Sequence, residues 1–261
     1  MKYELFKCPI CGSEKIVLLS EEQIEKDSIC FYKCVSCDSK FDTKDKYLKN
    51  TNNTQKQPAQ NNRLFAESLK GTDIFEINKN KVVEIYADFG EEIGAGTGVI
   101  ISDGLLITNA HVIFSSNKSE NDIAKNNGYK AKFAKQHTEF NIDLKYVSFE
   151  DDLAVFNINK GEPVKKSIKP AKIGEKCYAI GNAKGQGICM FDGIVSDSSR
   201  TIKGKEFIMF TALVTQGNSG GPLFNEMGEL IGIVTMGDKN SSAMNYAIPL
   251  RRINYFLGKN K

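Results

Sequence analysis

The sequence predicts a mainly β protein of two units, a small cysteine-rich domain at the front and a larger double β-barrel behind it. Three observations support this class. Short apolar stretches separated by glycines run from Lys81 almost to the end of the chain, as in antiparallel barrels and sandwiches. Four of the seven cysteines form two Cys-x-x-Cys pairs near the start. One serine, Ser219, lies between glycines at the end of an apolar run.

Composition limits the classes of function. A chain of 261 residues is long enough for two units, and a hydrophobic content of 41% is ordinary for a globular protein. The net charge is only +3 with both signs mixed, so the charge balance predicts neither a nucleic-acid partner nor an anionic membrane surface. The first residues lack the apolar core of an export signal, and no stretch approaches the roughly 20 apolar residues of a membrane span. We therefore expect a cytoplasmic protein.

The two cysteine pairs are Cys8 with Cys11 and Cys34 with Cys37, separated by 22 residues. Each short turn offers two thiolates, and a hairpin between the pairs would close a tetrahedral site, which predicts one structural zinc ion per chain. The arrangement resembles a zinc ribbon. The alternative is a set of disulfides or free thiols. Cys30 lies in a predicted strand and breaks the pair spacing, so we expect a packed thiol there, with a ligand role as the alternative.

Changes in composition predict the domain boundaries. Residues 1–41 form the ribbon, with short strands at Lys15–Leu19 and Ile29–Tyr32. Residues 42–62 are rich in Lys, Asn, Gln and Thr and bury too little apolar surface to offset their ordering entropy, which indicates a flexible linker. Residues 63–261 form the barrel domain, entered through a short helix that Thr72 or Asp73 caps.

Twelve stretches of the second domain have the alternation or the apolar character of strands. A polar segment, Gly161–Lys169, joins the two barrels, and Ser115–Gly128 is predicted to be a long surface loop. The predicted strands are Val82–Phe89, Gly98–Ile101, Leu105–Thr108, Lys130–Phe133, Leu144–Phe149, Leu153–Ile158, Lys176–Ile180, Gly193–Ser196, Glu206–Ala212, Pro222–Asn225, Glu229–Thr235 and Asn245–Ile248.

Ser219 has the setting of a nucleophile. Glycines on both sides let the backbone turn sharply, which exposes the hydroxyl and aims nearby amides at one point. The Gly-x-Ser-x-Gly pattern also occurs in α/β-hydrolases, where the base histidine follows the serine. Both histidines of this chain, His111 and His137, precede Ser219. The order histidine, aspartate, serine is that of the chymotrypsin-type double β-barrel.

His111 follows an apolar strand, and a strand end is a rigid position for a general base. His137 lies in a polar stretch and is the weaker candidate for the base. Asp152 directly precedes an apolar strand and is the preferred carboxylate to orient the ring of His111. Asp151 is the competing residue. The other carboxylates that we considered are less suitable because of polar flanks or of their place in the second half: Asp143, Asp192 and Asp197.

Seven segments in the same order resemble the HtrA/Deg branch of trypsin-like serine proteases, from about Asp73 to Leu257. The resemblance implies peptide-bond hydrolysis by Ser219, His111 and Asp152, with the backbone amides of Gly217 and Ser219 as the oxyanion hole. The segments are Gly94–Ile101, Leu106–Val112, Asp152–Val155, Ala179–Asn182, Gly193–Ser196, Gly217–Leu223 and Tyr246–Pro249. Many members of the branch also carry a carboxy-terminal PDZ domain and are exported. Neither feature is expected here.

The resemblance also assigns the primary substrate pocket. Leu213, six residues before the nucleophile, lies at the pocket base, where an aspartate would select Lys or Arg. The walls come from the stretch Thr235, Met236 and Gly237 and from a second stretch, Asn245 to Ala247, that includes Tyr246. Cleavage after small or medium aliphatic residues is therefore expected, with Asp238 as the one acid that could reach into the pocket.

Three functional hypotheses remain open on the sequence. The first is a serine endopeptidase acting on proteins or peptides, whose ribbon binds a protein partner or recruits substrate. The second is a ribbon-based adaptor for protein or nucleic acid with a weak, latent or inactive protease domain; acidic residues among the ribbon's lysines disfavour nucleic acid. The third is a structural scaffold, which would have no use for a complete triad. Oligomeric state does not follow from the sequence.

Overall fold

The structure is a computed structural model that describes residues 16–24, 27–34, 40–42, 68–88, 93–114, 128–136, 138–238 and 241–260. The chain divides into two compact units, Met1–Leu64 and Phe65–Lys261. Within the described ranges, no helix is long and apolar enough to cross a membrane.

The first unit contains a three-stranded antiparallel sheet in the order β1-β2-β3. The strands are β1 (Ile16–Ile24), β2 (Asp27–Cys34) and β3 (Lys40–Asp42). Ile16 at the start of β1 pairs with Cys34 at the end of β2. Of the predicted zinc ligands, Cys8, Cys11 and Cys37 lie outside the described residues, as does the side chain of Cys34.

The second unit consists of two closed six-stranded barrels, so the predicted double β-barrel is confirmed. The first closes in the order β4-β5-β6-β9-β8-β7 and the second in the order β10-β11-β12-β15-β14-β13. The strands are β4 (Val82–Asp88), β5 (Ile93–Ser102), β6 (Leu105–Thr108), β7 (Tyr129–Phe133), β8 (Phe140–Ser148), β9 (Leu153–Asn157), β10 (Lys176–Asn182), β11 (Ile188–Ile202), β12 (Lys205–Phe210), β13 (Pro222–Asn225), β14 (Leu230–Asp238) and β15 (Ser241–Pro249).

Alternation along the strands separates three apolar clusters. Ile100 and Phe156 point into the first barrel, and Val195 and Phe210 point into the second. Their strand neighbours, such as Val99, belong to a third cluster that packs the barrels against each other and against the helices. Many strands are therefore apolar on both faces, which explains their near-continuous apolar sequences.

Two helices flank the barrels in the described part of this unit, α1 (Gly71–Asn78) and α2 (Leu250–Lys259). The prediction that Thr72 or Asp73 caps the first helix is wrong, because the helix begins at Gly71 and its N-cap is Lys70, two residues before Thr72. Asp73 instead lies in the first turn, where a carboxylate faces the positive end of the helix dipole. The strand pattern did not predict α2, which buries Ile253 and Phe256.

Candidate active site

Strand pairing brings His111 and Asp152 to the same end of the first barrel. His111 lies in a 3-10 turn, Ala110–Val112, that follows β6, and Asp152 directly precedes β9. The two strands are antiparallel, with Thr108 opposite Ala154. His111 lies three residues after Thr108, and Asp152 lies two residues before Ala154. Because the strands are antiparallel, both residues lie beyond the same end of the strand pair, so the two side chains meet.

The carboxylate of Asp152 holds the imidazole of His111 in both position and orientation. The ring Nδ1 lies 2.9 Å from Oδ1 and 3.0 Å from Oδ2. The backbone N–H of His111 donates to Oδ1 at 3.1 Å, and the hydroxyl of Thr235 donates to Oδ2 at 2.6 Å. A proton on Nδ1 is stabilised by this partner, which leaves Nε2 as the basic atom.

Asp152 and its competitor Asp151 have different surroundings. Asp152 has a φ of 54°, in the left-handed region that aspartate tolerates better than most residues. Asp151 accepts a hydrogen bond from the hydroxyl of Ser148 at 3.0 Å and lies 3.8 Å from the guanidinium of Arg252. The structure therefore places Asp152, and not Asp151, beside the ring of His111. His137, the weaker candidate for the base, lies outside the described residues.

Ser219 belongs to the second barrel and lies in the loop between β12 and β13. Its hydroxyl donates to the backbone carbonyl of Thr235 at 3.3 Å, so among the described residues its partner is that carbonyl rather than the ring of His111. Thr235 thus contacts both Asp152, through its side chain, and Ser219, through its backbone. Hydrogen bonds between catalytic groups are often long or misaligned without substrate and tighten when it binds.

The turn around Ser219 leaves two amides available. Within the described part of the chain, the backbone N–H groups of Gly217 and Ser219 have no hydrogen-bond partner. The carbonyl of Gln216 accepts from the N–H of Lys184 at 2.7 Å, which fixes the orientation of the peptide that carries the Gly217 amide. Gly217 has a φ of +94°, and a Cβ there would lie 2.1 Å from the carbonyl oxygen of Asn182. Only glycine fits this position, so the shape of the turn that leaves both amides available depends on Gly217.

Thr97 connects the first barrel to this turn, a role that the sequence analysis did not identify. Its hydroxyl donates to the carbonyl of Gly217 at 2.7 Å and accepts from the N–H of Asn182 at 2.9 Å. Its backbone N–H donates to the carbonyl of Ser219 at 2.9 Å. Thr97 is fully buried, and its carbonyl accepts from the hydroxyl of Thr108. A polar residue between two glycines in an apolar strand was the signal available in the sequence.

An apolar cavity of about 440 Å³ lies beside the ring of His111. Phe114 and Phe149 form one side, with ring centroids 5.0 Å apart in an edge-to-face arrangement. Ala110, Thr235 and Met236 contribute to the remaining lining. Neither phenylalanine was identified from the sequence, because they lie in turns that follow different strands of the first barrel.

The residues assigned to the primary pocket have different environments. Leu213 and Met236 are accessible, with 42% and 39% of their surfaces exposed. The side chain of Thr235 instead binds Asp152. Tyr246 is 8% exposed and packs edge-on against the ring of Phe207, so its ring lies in the core.

The two predicted walls meet at Asn245. Its amide donates to the carbonyl of Ala212 at 2.9 Å, directly before Leu213. Its Oδ1 would be 2.7 Å from a Cβ on Gly237, so glycine is required for the close approach of the two walls. The side chain of Asp238, the acid considered for this pocket, lies outside the described residues.

Two closed barrels with a histidine–aspartate pair on one and a serine on the other define a chymotrypsin-type peptidase fold. The chain belongs to the trypsin-like peptidase domain family, whose model matches residues 96–233. The resemblance to trypsin-like serine proteases is thereby confirmed.

The individual proteins to which the chain is similar have names that agree with this family. The chain is 31% identical over 185 residues to serine protease HTRA1A of Danio rerio, covering 67% of this chain and 36% of that protein. It is 34% identical over 180 residues to the serine endoprotease DegS of Haemophilus influenzae, covering 63% and 49%. The crystal structure of a serine endoprotease from Yersinia pestis aligns with a TM-score of 0.62 at 27% identity, covering 74% of this chain and 66% of that one. The chain therefore spans about a third to a half of the curated relatives.

Proposed function

We propose that this protein is a serine endopeptidase with Ser219 as nucleophile, His111 as general base and Asp152 as the group that orients the histidine. The observation that carries the proposal is the hydrogen bonding of His111 Nδ1 to Asp152 at 2.9 Å, on the barrel that faces the serine turn. The available amides of Gly217 and Ser219 supply the oxyanion hole. The relatives' names, which describe serine proteases, point to the same activity.

The reaction follows from the roles of these groups. Ser219 Oγ forms a bond to the scissile carbonyl carbon while its proton passes to Nε2 of His111, and the amides of Gly217 and Ser219 stabilise the oxyanion. The C–N bond then breaks, and the amine leaves with the proton from His111. Water attacks the acyl-enzyme by the same proton route and releases the acid, which restores the Ser219 hydroxyl.

Cleavage is proposed to follow small or medium aliphatic residues. The family resemblance assigns Leu213 to the pocket base and Met236 to a wall, and both apolar side chains are partly exposed and so accessible to a substrate. Burying a Lys or Arg head against such groups costs several kcal/mol without a partner, whereas each buried methylene gains about 0.8 kcal/mol. The Phe114–Phe149 cavity next to His111 provides a second apolar surface for a substrate side chain.

A peptide-library digest read by mass spectrometry tests this preference. The unsubstituted protein is expected to cut after Val, Ala, Ile or Leu. Leu213→Asp should add cleavage after Lys and Arg, because it places a carboxylate at the pocket base, and Leu213→Asn should not, because it has a similar shape without the charge. Predominant cuts after Lys or Arg by the unsubstituted protein would contradict the assignment of Leu213.

We also propose that the first unit binds one zinc ion through Cys8, Cys11, Cys34 and Cys37 and serves to bind a protein partner or recruit substrate. The pairing of Ile16 with Cys34 supports this. Cys34 is the first cysteine of the second pair, and Ile16 follows Cys11, the last cysteine of the first pair, by only five residues. Four thiolates would complete a closed tetrahedral site, whose role is to stabilise a fold too small for a sufficient core.

Elemental analysis of the full chain purified under reducing conditions tests the zinc proposal. One zinc per chain is expected, lost in Cys34→Ser and retained in Cys30→Ser, since Cys30 lies outside the paired spacing. Protein without metal, or equal loss in the two variants, would contradict the ligand set.

A further inference from the structure

Three consecutive residues of the turn that carries Asp152 accept hydrogen bonds from parts of the chain outside the first barrel. The carbonyl of Glu150 accepts from the ammonium of Lys205 on β12. The carbonyl of Asp151 accepts from the guanidinium of Arg252 on α2 at 3.4 Å. The carboxylate of Asp152 accepts from Thr235 on β14. The placement of the histidine's partner therefore depends on groups from the second barrel and the carboxy-terminal helix.

Arg252 is largely enclosed where it binds this turn. Its side chain is 14% exposed, and its guanidinium lies 4.9 Å above the ring of Phe207. One nitrogen donates to the carbonyl of Glu206 at 3.2 Å, and another faces Asp151, 3.4 Å from the carbonyl and 3.8 Å from the carboxylate. The planar guanidinium thus joins β12 to the turn, which a lysine ammonium would not reproduce.

The burial of this cation has an electrostatic consequence. Burial lowers the pKa of Arg252, and the negative charges of Asp151 and Asp152 oppose that shift. A cation is retained in a poorly hydrated position because it is paired there. Arg251, the preceding residue, is different: its side chain is 79% exposed and pairs with the carboxylate of Glu206.

We infer that Arg252 is a positioning residue for catalysis: by holding the carbonyl of Asp151, it fixes the turn so that the Asp152 carboxylate meets His111 Nδ1. This inference rests on the proposed function, since it concerns the same aspartate and histidine. It assigns to the carboxy-terminal helix a part in aligning the catalytic pair. A displaced turn would weaken the His111–Asp152 hydrogen bond while leaving the substrate pocket at Leu213 unchanged.

The test compares Arg252→Gln and the milder Arg252→Lys with the control Arg251→Gln. We expect Arg252→Gln to lower kcat roughly 10- to 100-fold with little change in KM, the size typical of a misplaced catalytic group. Arg252→Lys should be intermediate, because it keeps the charge and loses the planar fork. Arg251→Gln should leave kcat within about twofold, as for an exposed ion pair.

A spectroscopic measurement separates this inference from the proposed function. The chain has two histidines, so the downfield proton resonance of a carboxylate-bound Nδ1–H can be assigned in protein labelled with ¹⁵N-histidine. The resonance of His111 should be present in the unsubstituted protein and in Arg251→Gln, and broadened or lost in folded Arg252→Gln. An unchanged resonance and kcat in Arg252→Gln would overturn the role of Arg252 alone. Absence of the resonance in the unsubstituted protein would overturn both the role and the site.

Discussion

Replacing Asp152 with asparagine tests the catalytic pair with little disturbance of the backbone. Asparagine has the same shape and tolerates the left-handed φ of 54° at this position. The carboxylate accepts hydrogen bonds from the ring and backbone nitrogens of His111 and from Thr235. An amide nitrogen cannot accept, and the amide carries no charge to stabilise the imidazolium that forms during the reaction.

The distance between His111 and Asp152 and the exposure of the two side chains set the expected loss of kcat/KM. At the observed 2.9 Å, an effective dielectric constant of about 20 gives an attraction of roughly 6 kcal/mol between the imidazolium and the carboxylate. The side chains of His111 and Asp152 are 48% and 30% exposed, and the dielectric constant of water would reduce the attraction to about 1.4 kcal/mol. A partly exposed pair lies between these limits, so we expect kcat/KM to fall roughly 10³-fold.

The assay is hydrolysis of a fluorescently labelled unfolded protein, with Asp151→Asn as the matched control. Asp151 contacts Ser148 and Arg252 rather than His111, and asparagine keeps the backbone carbonyl that Arg252 binds, so this substitution should lower kcat/KM much less than Asp152→Asn. A larger loss in Asp151→Asn than in Asp152→Asn would refute the assignment of the orienting carboxylate. Retention of more than a tenth of the activity in Asp152→Asn would refute the electrostatic reasoning.

Three further changes have defined outcomes. Thr97→Val should lower kcat at least about tenfold, because the carbonyl of Gly217 and the N–H of Asn182 lose a buried partner, while Thr97→Ser should retain most activity in the same assay. Gly217→Ala should abolish activity and lower the melting temperature, since a Cβ would lie 2.1 Å from the carbonyl of Asn182; an active variant would contradict the turn geometry. Burial raises the pKa of the Cys177 thiol from 9.0 to about 12, so the stability that the protonated thiol contributes is complete below pH 9 and is lost as the pH rises towards 12. Urea denaturation should therefore show a steeper loss of stability across this pH window in the unsubstituted protein than in Cys177→Ala, and equal slopes would contradict a buried thiol.

The strands of the barrels were predictable because glycines and apolar runs mark them locally. Their ends were less predictable. In β11 only Gly193–Ser196 was predicted, whereas the strand runs from Ile188 to Ile202. Register shifts around Asp197 break the two-residue alternation there, and polar residues continue to pair with β12. Pairing across the sheet, which local pattern does not contain, extends the strand.

The helix α2 was not predicted from the sequence for a different reason. Its buried positions, Ile253 and Phe256, have helical spacing, but the helix begins at Leu250, directly after β15 ends at Pro249. The sequence alone therefore offered no clear change of period at that point. Its importance becomes visible only in three dimensions, where Arg252 reaches a turn about a hundred residues earlier in the chain.

The candidate site was predictable where chemistry fixes the residue type. The nucleophile turn and the order histidine, aspartate, serine identified His111 and Ser219. Asp152 was preferred over Asp151 because it directly precedes an apolar strand, but pattern alone left Asp151 as a competitor, because the left-handed φ of Asp152 breaks the alternation that would decide which side chain faces the histidine. The contacts of Thr97 and the Phe114–Phe149 cavity depend on residues far apart in the chain; the glycines on both sides of Thr97 mark an unusual position but do not specify its partners, and no local pattern marks the two phenylalanines.

The most direct test of an assembled hydrolytic site is labelling by a fluorophosphonate, which reacts with a serine activated by a neighbouring base. The purified full chain should be labelled at Ser219, identified by mass spectrometry of the modified peptide. Labelling should be lost in Ser219→Ala and strongly reduced in His111→Ala, because the histidine activates the hydroxyl. Folded protein that remains unlabelled, or labelling that persists in Ser219→Ala, would contradict the assignment of Ser219 as the nucleophile.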